Sequence, residues 1–75
     1  MLTIEKPFED GAMRLVRVRV NGQSALVTGR VSMAEKALII SGATYDRLVG
    51  KFGRGEITPL DSRCDSAWRV WICVE

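Results

Sequence analysis

The stretch that decides the fold runs from Ala12 to Val31: Ala12-Met13-Arg14-Leu15-Val16-Arg17-Val18-Arg19-Val20, then Asn21-Gly22, then Gln23-Ser24-Ala25-Leu26-Val27-Thr28-Gly29-Arg30-Val31. The end of the first segment alternates apolar and charged residues with period two, the signature of a strand with one face buried. Asn-Gly between two such runs favours a type I′ turn, because both central residues need positive φ. A two-residue turn sets the register. Val20 then faces Gln23, Val18 faces Ala25 and Val16 faces Val27. On the other face Arg19 meets Ser24, Arg17 meets Leu26 and Leu15 meets Thr28. Apolar residues gather on one side and arginines on the other, so turn chemistry and hydrophobic pattern agree on a β-hairpin over about 12–20 and 23–31. Gly29 marks a bulge or the end of the ladder.

Outward from the hairpin, the signals are less uniform. Leu2 and Ile4 suit a short edge strand, and Pro7 with Glu9-Asp10-Gly11 reads as a turn. Ser32-Met33-Ala34-Glu35 has the form of a capping box that opens a helix, whereas Ala37-Leu38-Ile39-Ile40-Ser41 reads equally as a buried strand; residues 33–41 stay open between the two. Tyr45, Leu48, Val49 and Phe52 fall on one helical face, so a helix is expected over about 43–52. Ser41 or Thr44 can cap it, Asp46 suits its start, Lys51 and Arg54 suit its end, and Gly53 suits its exit. After a connection containing Pro59, a strand is expected over about 67–74. It places Trp68, Val70, Ile72 and Val74 on one face and Ala67, Arg69, Trp71 and Cys73 on the other. The expected fold is α+β: an antiparallel sheet of three to four strands with a central hairpin, one or two helices and a C-terminal strand, in a single domain over 1–75.

Composition narrows the function. The chain has 75 residues, no histidine, two cysteines and a net charge of +2, from 11 Lys plus Arg against 9 Asp plus Glu. Without an imidazole, the commonest general base at neutral pH is missing. Two cysteines without histidine do not make a structural zinc site within one chain. Cys64 and Cys73 read as small thiols, and sequence alone leaves open a bridge between them. The N-terminal residues lack an apolar signal core, which points to a reduced, cytoplasmic chain, and no run is long enough to span a membrane. Glu9-Asp10 and Asp61…Asp65 read as solvated turn carboxylates. The glycines and cations of Gly50-Lys51-Phe52-Gly53-Arg54-Gly55 stand at a helix exit, where exposed carbonyls repel a phosphate.

Residues Ala37 to Leu48 resemble the strand-to-first-helix segment of ribbon-helix-helix antitoxins, in which an apolar strand, a Ser cap and a Tyr-acid-Arg-Leu helix recur. That family reads DNA with an N-terminal ribbon and has a second helix after the first. Here a hairpin precedes the segment and a Trp-bearing strand ends the chain, so neither fold nor function is carried over.

These observations lead to a small non-catalytic protein that binds a protein partner and needs no cofactor or metal. Stand-alone domains of this size without catalytic chemistry are common among phage and mobile-element accessory proteins, including inhibitors of host systems. The expected partner-binding residues are Arg17, Arg19, Arg69 and Trp71, because Trp and Arg concentrate binding energy at protein interfaces. The alternative is a nucleic-acid-binding regulator that uses Arg17, Arg19 and Arg30 on the hairpin. A homodimer is compatible with either reading, because both faces of the last strand are apolar.

Overall fold

The computed structural model describes residues 1–64 and 69–75. Six strands and one helix follow in the order β1 (Thr3–Ile4), β2 (Met13–Val20), β3 (Gln23–Ser32), β4 (Ala37–Ser41), α1 (Gly42–Phe52), β5 (Pro59–Cys64) and β6 (Arg69–Cys73). They form one antiparallel sheet in the order β1-β2-β3-β4-β6-β5.

The hairpin has the register that its turn demands: Val20 opposes Gln23, Val18 opposes Ala25, Val16 opposes Val27 and Arg17 opposes Leu26. Asn21 and Gly22 both take positive φ, 50° and 81°. Val16, Val18, Val20, Val27 and Val31 point inward and are buried.

The expected three- to four-stranded sheet is corrected to six strands. Three of them carry little sequence signal. β1 is two residues long. β4 is buried on both faces, so it lacks the alternation that reveals a half-exposed strand. β5 begins at Pro59 and holds several polar residues, a pattern suited to an edge, which is where it lies. The open choice over 33–41 resolves into a turn followed by a strand. Lys36 takes φ 51°, its N–H donates to Met33 C=O at 3.2 Å, and the Asp10 carboxylate accepts from Met33 N–H at 2.8 Å. The last strand is described from Arg69 to Cys73; Ala67 and Trp68 lie outside the described residues.

Helix α1 starts where β4 stops because Ser41 serves both. Its backbone ends the strand, and its Oγ accepts from Thr44 N–H at 3.1 Å. Gly53 closes the helix at φ 95°, with its N–H donating to Val49 C=O at 2.8 Å. Asp46 falls beyond the first turn, which holds no acidic residue. Leu48 is buried, and Tyr45, Val49 and Phe52 pack beside it on Leu38, Ile40 and Ile72. Leu2 and Ile57 complete this core. The sheet curls around it until its margins meet: Glu75 N–H donates to Leu2 C=O at 3.1 Å, and the Met1 ammonium contacts Glu56 at 3.0 Å.

Candidate functional site

Directly opposed residues on neighbouring strands project to the same face of a sheet. Arg30 opposes Met13 and Ile39, Ile39 opposes Trp71, and Ser41 opposes Arg69. The outer face, away from the helix, therefore carries Arg17, Arg19, Arg30, Arg69 and Trp71 together. Arg17 and Trp71 nevertheless stand three strands apart and four residues out of line, about 14 Å across the strands and about 13 Å along them.

The two ends of this face differ in character. Around Trp71 it is closed. Ile39, between Arg30 and Trp71, is fully buried; Trp71 is half-buried and its indole Nε1 is enclosed without a hydrogen-bond partner among the described residues. Arg69 is half-buried and engaged within the fold. Around the hairpin it is open. Arg17 and Arg19 are exposed, and so are Leu15 at 64%, Met13 at 53% and Leu26 at 51%. Sequence reasoning singled out the arginines and passed over these apolar neighbours, although the hairpin register already put Leu15 and Leu26 on the outer face.

A groove of about 760 Å³ runs along this part of β2. Its second wall is the segment from Glu5 to Glu9, which leaves the sheet after β1. At one end Glu5 N–H donates to Arg17 C=O at 2.9 Å. At the other, Arg14 Nη1 and Glu9 Oε1 stand 3.3 Å apart, both well exposed. Phe8, Val16 and Leu26 give the groove an apolar lining. The carboxylate of Glu5 accepts from Ser24 Oγ at 2.9 Å and lies 4.0 Å from Arg19 Nε. Among the described residues, Lys6 and Arg17 are the groove-lining cations without an ionic partner.

At the far corner of the hairpin, the Glu56 carboxyl is held below the usual carboxylate range. The Met1 ammonium donates to it at 3.0 Å, the Asn21 side chain adds a second hydrogen bond, and the ammonium charge adds to both. This contact ties the turn to the loop before β5 and bears on stability rather than on the open face.

Cys73 is a free thiol, half-buried in β6. Cys64 aligns with Val70 in the β5–β6 pairing, and its side chain, and with it any bridge to Cys73, lies outside what the structure describes. Among the described residues, no three acidic or thiol side chains gather as a metal site. No helix among them is long and apolar enough to cross a membrane. No protein-family model, curated protein or solved structure matches this chain.

Proposed function

We propose that this chain is a small non-catalytic protein that binds a protein partner through the outer face of its β2–β3 hairpin. One observation carries the reading: Met13, Leu15 and Leu26 stand exposed among Arg17 and Arg19 on a regular ladder. The solvated face of an antiparallel sheet is ordinarily polar. A contiguous apolar patch with arginines at its border suits a protein interface, where apolar area is buried at the centre and Arg supplies directional contacts. Arg69 and Trp71, held closer within the fold, would border the contact rather than centre it. Covering a partner's working surface in this way is how a phage or mobile-element inhibitor of a host system could act.

The test is capture from native-host lysate with the tagged chain, with and without nuclease, beside folded Leu15→Asp and Arg17→Glu variants. A stoichiometric protein that survives nuclease and is lost with both substitutions supports the reading. Recovery of nucleic acid alone, with affinity falling steeply as salt rises, would replace it with a nucleic-acid regulator centred on Arg17, Arg19 and Arg30.

A further inference from the structure

We propose that the groove between β2 and the 5–9 segment seats a bulky apolar side chain of the protein partner, with the carboxylate of an adjacent acidic residue held at Arg17 and Lys6. The proposal rests on the protein-binding reading above and names the chemistry that the partner presents.

The groove takes side chains rather than a strand. Beside Arg17 the edge of β2 is already occupied: Thr3 and Ile4 pair with Arg19 and Val18, and Glu5 N–H donates to Arg17 C=O. What stays open is side-chain space of about 760 Å³. Sites that enclose a drug-sized molecule have volumes of this order, so one large side chain and the residue beside it have room.

The apolar surface of this space comes from both walls. On one side Phe8 lines it while packing against the core. On the other stand Leu15 and Leu26, both exposed by more than half. Leu15 opposes Thr28, two residues from Leu26, so the two leucines are diagonal neighbours on the outer face. A group that covers them removes apolar area from water on both partners.

The charge sits beside the apolar surface. Arg17 is directly opposite Leu26 and two residues from Leu15, which puts its Cβ about 5 Å from that of Leu26. Glu5 is engaged by Ser24 and Arg19, and Glu9 by Arg14. Among the described residues, Lys6 and Arg17 line the groove exposed and without an ionic partner. An apolar group on Leu15 and Leu26 therefore has an uncompensated cation within one residue of it. A carboxylate next in sequence to that group completes the charge, and a guanidinium can hold it through two parallel bonds.

Other occupants fit less well. A run of phosphates would leave Leu15 and Leu26 uncovered and would pass both Glu5 and Glu9. A second copy of this chain does not supply the pair. Among the described residues its exposed large apolar side chains are Met1, Met13, Leu15, Leu26 and Met33, and none has an acidic neighbour in sequence.

The probes are acetylated, amidated Asp-Phe and Phe-Asp dipeptides, the same pairs with Asn or Lys in place of Asp, and 3-phenylpropionate as a free small acid. Each is titrated into the ¹⁵N-labelled full chain. At least one Asp dipeptide is expected to give saturable shifts centred on the Phe8, Leu15, Arg17 and Leu26 amides. Its Asn counterpart should bind more weakly by up to about fivefold, the worth of one exposed charge pair, and its Lys counterpart more weakly still. The double variant Lys6→Gln with Arg17→Gln should erase the preference for Asp over Asn and leave the Asn dipeptide unchanged. Leu26→Ser should weaken every dipeptide. The unshifted remainder of each spectrum reports that the variant is folded. Absence of saturable binding at millimolar Asp dipeptide, equal affinity for Asp, Asn and Lys, or shifts mapping elsewhere overturns the proposal. Tighter binding of 3-phenylpropionate than of any dipeptide overturns it in favour of a site for free acids. Perturbation of the same amides by self-association or by an oligonucleotide overturns it too. If the dipeptides fail while partner capture still depends on Leu15 and Arg17, the groove chemistry is wrong and the protein-binding face stands. Capture that survives both substitutions removes that face as well.

Discussion

Gly29 of β3 lies so close to Ile40 of β4 that a Cβ at position 29 would stand 2.8 Å from Ile40 Cγ2 and 3.0 Å from the Ile39 carbonyl oxygen. The glycine is there for space: it lets the β4 side chains Leu38 and Ile40 reach across the inner face. Gly29→Ala should lower the stability by about 1–3 kcal/mol, as overpacking does, and Gly29→Val by more. The control is Gly50→Ala, in helix α1, where an added Cβ meets nothing within 4 Å. It should raise stability by up to about 1 kcal/mol. Urea unfolding of the two variants checks both signs; a neutral Gly29→Ala would contradict the packing.

Glu56 predicts an acid dependence. Its folded-state pKa is lowered, chiefly by the hydrogen bond from the Met1 ammonium and then by the one from Asn21. A depressed carboxyl contributes stability that is fully present above the unfolded-state value, near 4.5, and is lost as pH falls through the folded-state value. Urea midpoints of the wild type and Glu56→Gln, measured from pH 7 to pH 3, should therefore converge at the acid end. Acetylation of the Met1 amine should remove the larger share of the difference. Parallel curves would show that this contact adds nothing.

Trp71 carries a buried Nε1 without a hydrogen-bond partner among the described residues. A buried orphan donor costs about 1–3 kcal/mol, so removing it offsets the packing lost with the smaller ring. Trp71→Phe should stay within about 1 kcal/mol of the wild type, whereas Trp71→Ala should cost about 3–5 kcal/mol. Equal losses for the two variants would mean that the indole N–H is satisfied.

Ser41 should show the energetics of a helix cap. Ser41→Ala removes the acceptor for Thr44 N–H and should cost about 1 kcal/mol, and Ser41→Asp should restore most of it. At the other turn, Gly22→Ala forces a side chain to φ 81° and should cost about 1–2 kcal/mol. Thermal unfolding of these variants separates a cap effect, which Asp rescues, from a general loss of packing.

Legibility follows the locality of the signal. The hairpin was readable because Asn21-Gly22 and the alternation of Val16, Val18 and Val20 are two independent cues to one register. The helix was readable because Ser41, the Tyr45-to-Phe52 stripe and Gly53 mark its start, face and end. The strand Ala37–Ser41 was not, because it is covered on both faces, and the Ser32-to-Glu35 pattern that suits a capping box is also compatible with the turn through Lys36. The edge strand at Pro59 was hidden by its polar composition. Of the candidate site, Arg17 and Arg19 were legible as the charged half of the alternation. The groove was not, because its second wall is a segment whose position depends on where the chain leaves β1.

What the residues determine by themselves is therefore local: a type I′ turn with its register, a capped helix and the inner face of a sheet. Only the tertiary structure decides the strand order β1-β2-β3-β4-β6-β5. That order joins Leu2 to Glu75, closes Ile39 between Arg30 and Trp71, and leaves the backbone of Leu15 open beside a groove. The physical reason is that alternation encodes which face a residue takes, while the choice of neighbouring strand depends on non-local pairing and on how the curled sheet fills its own core.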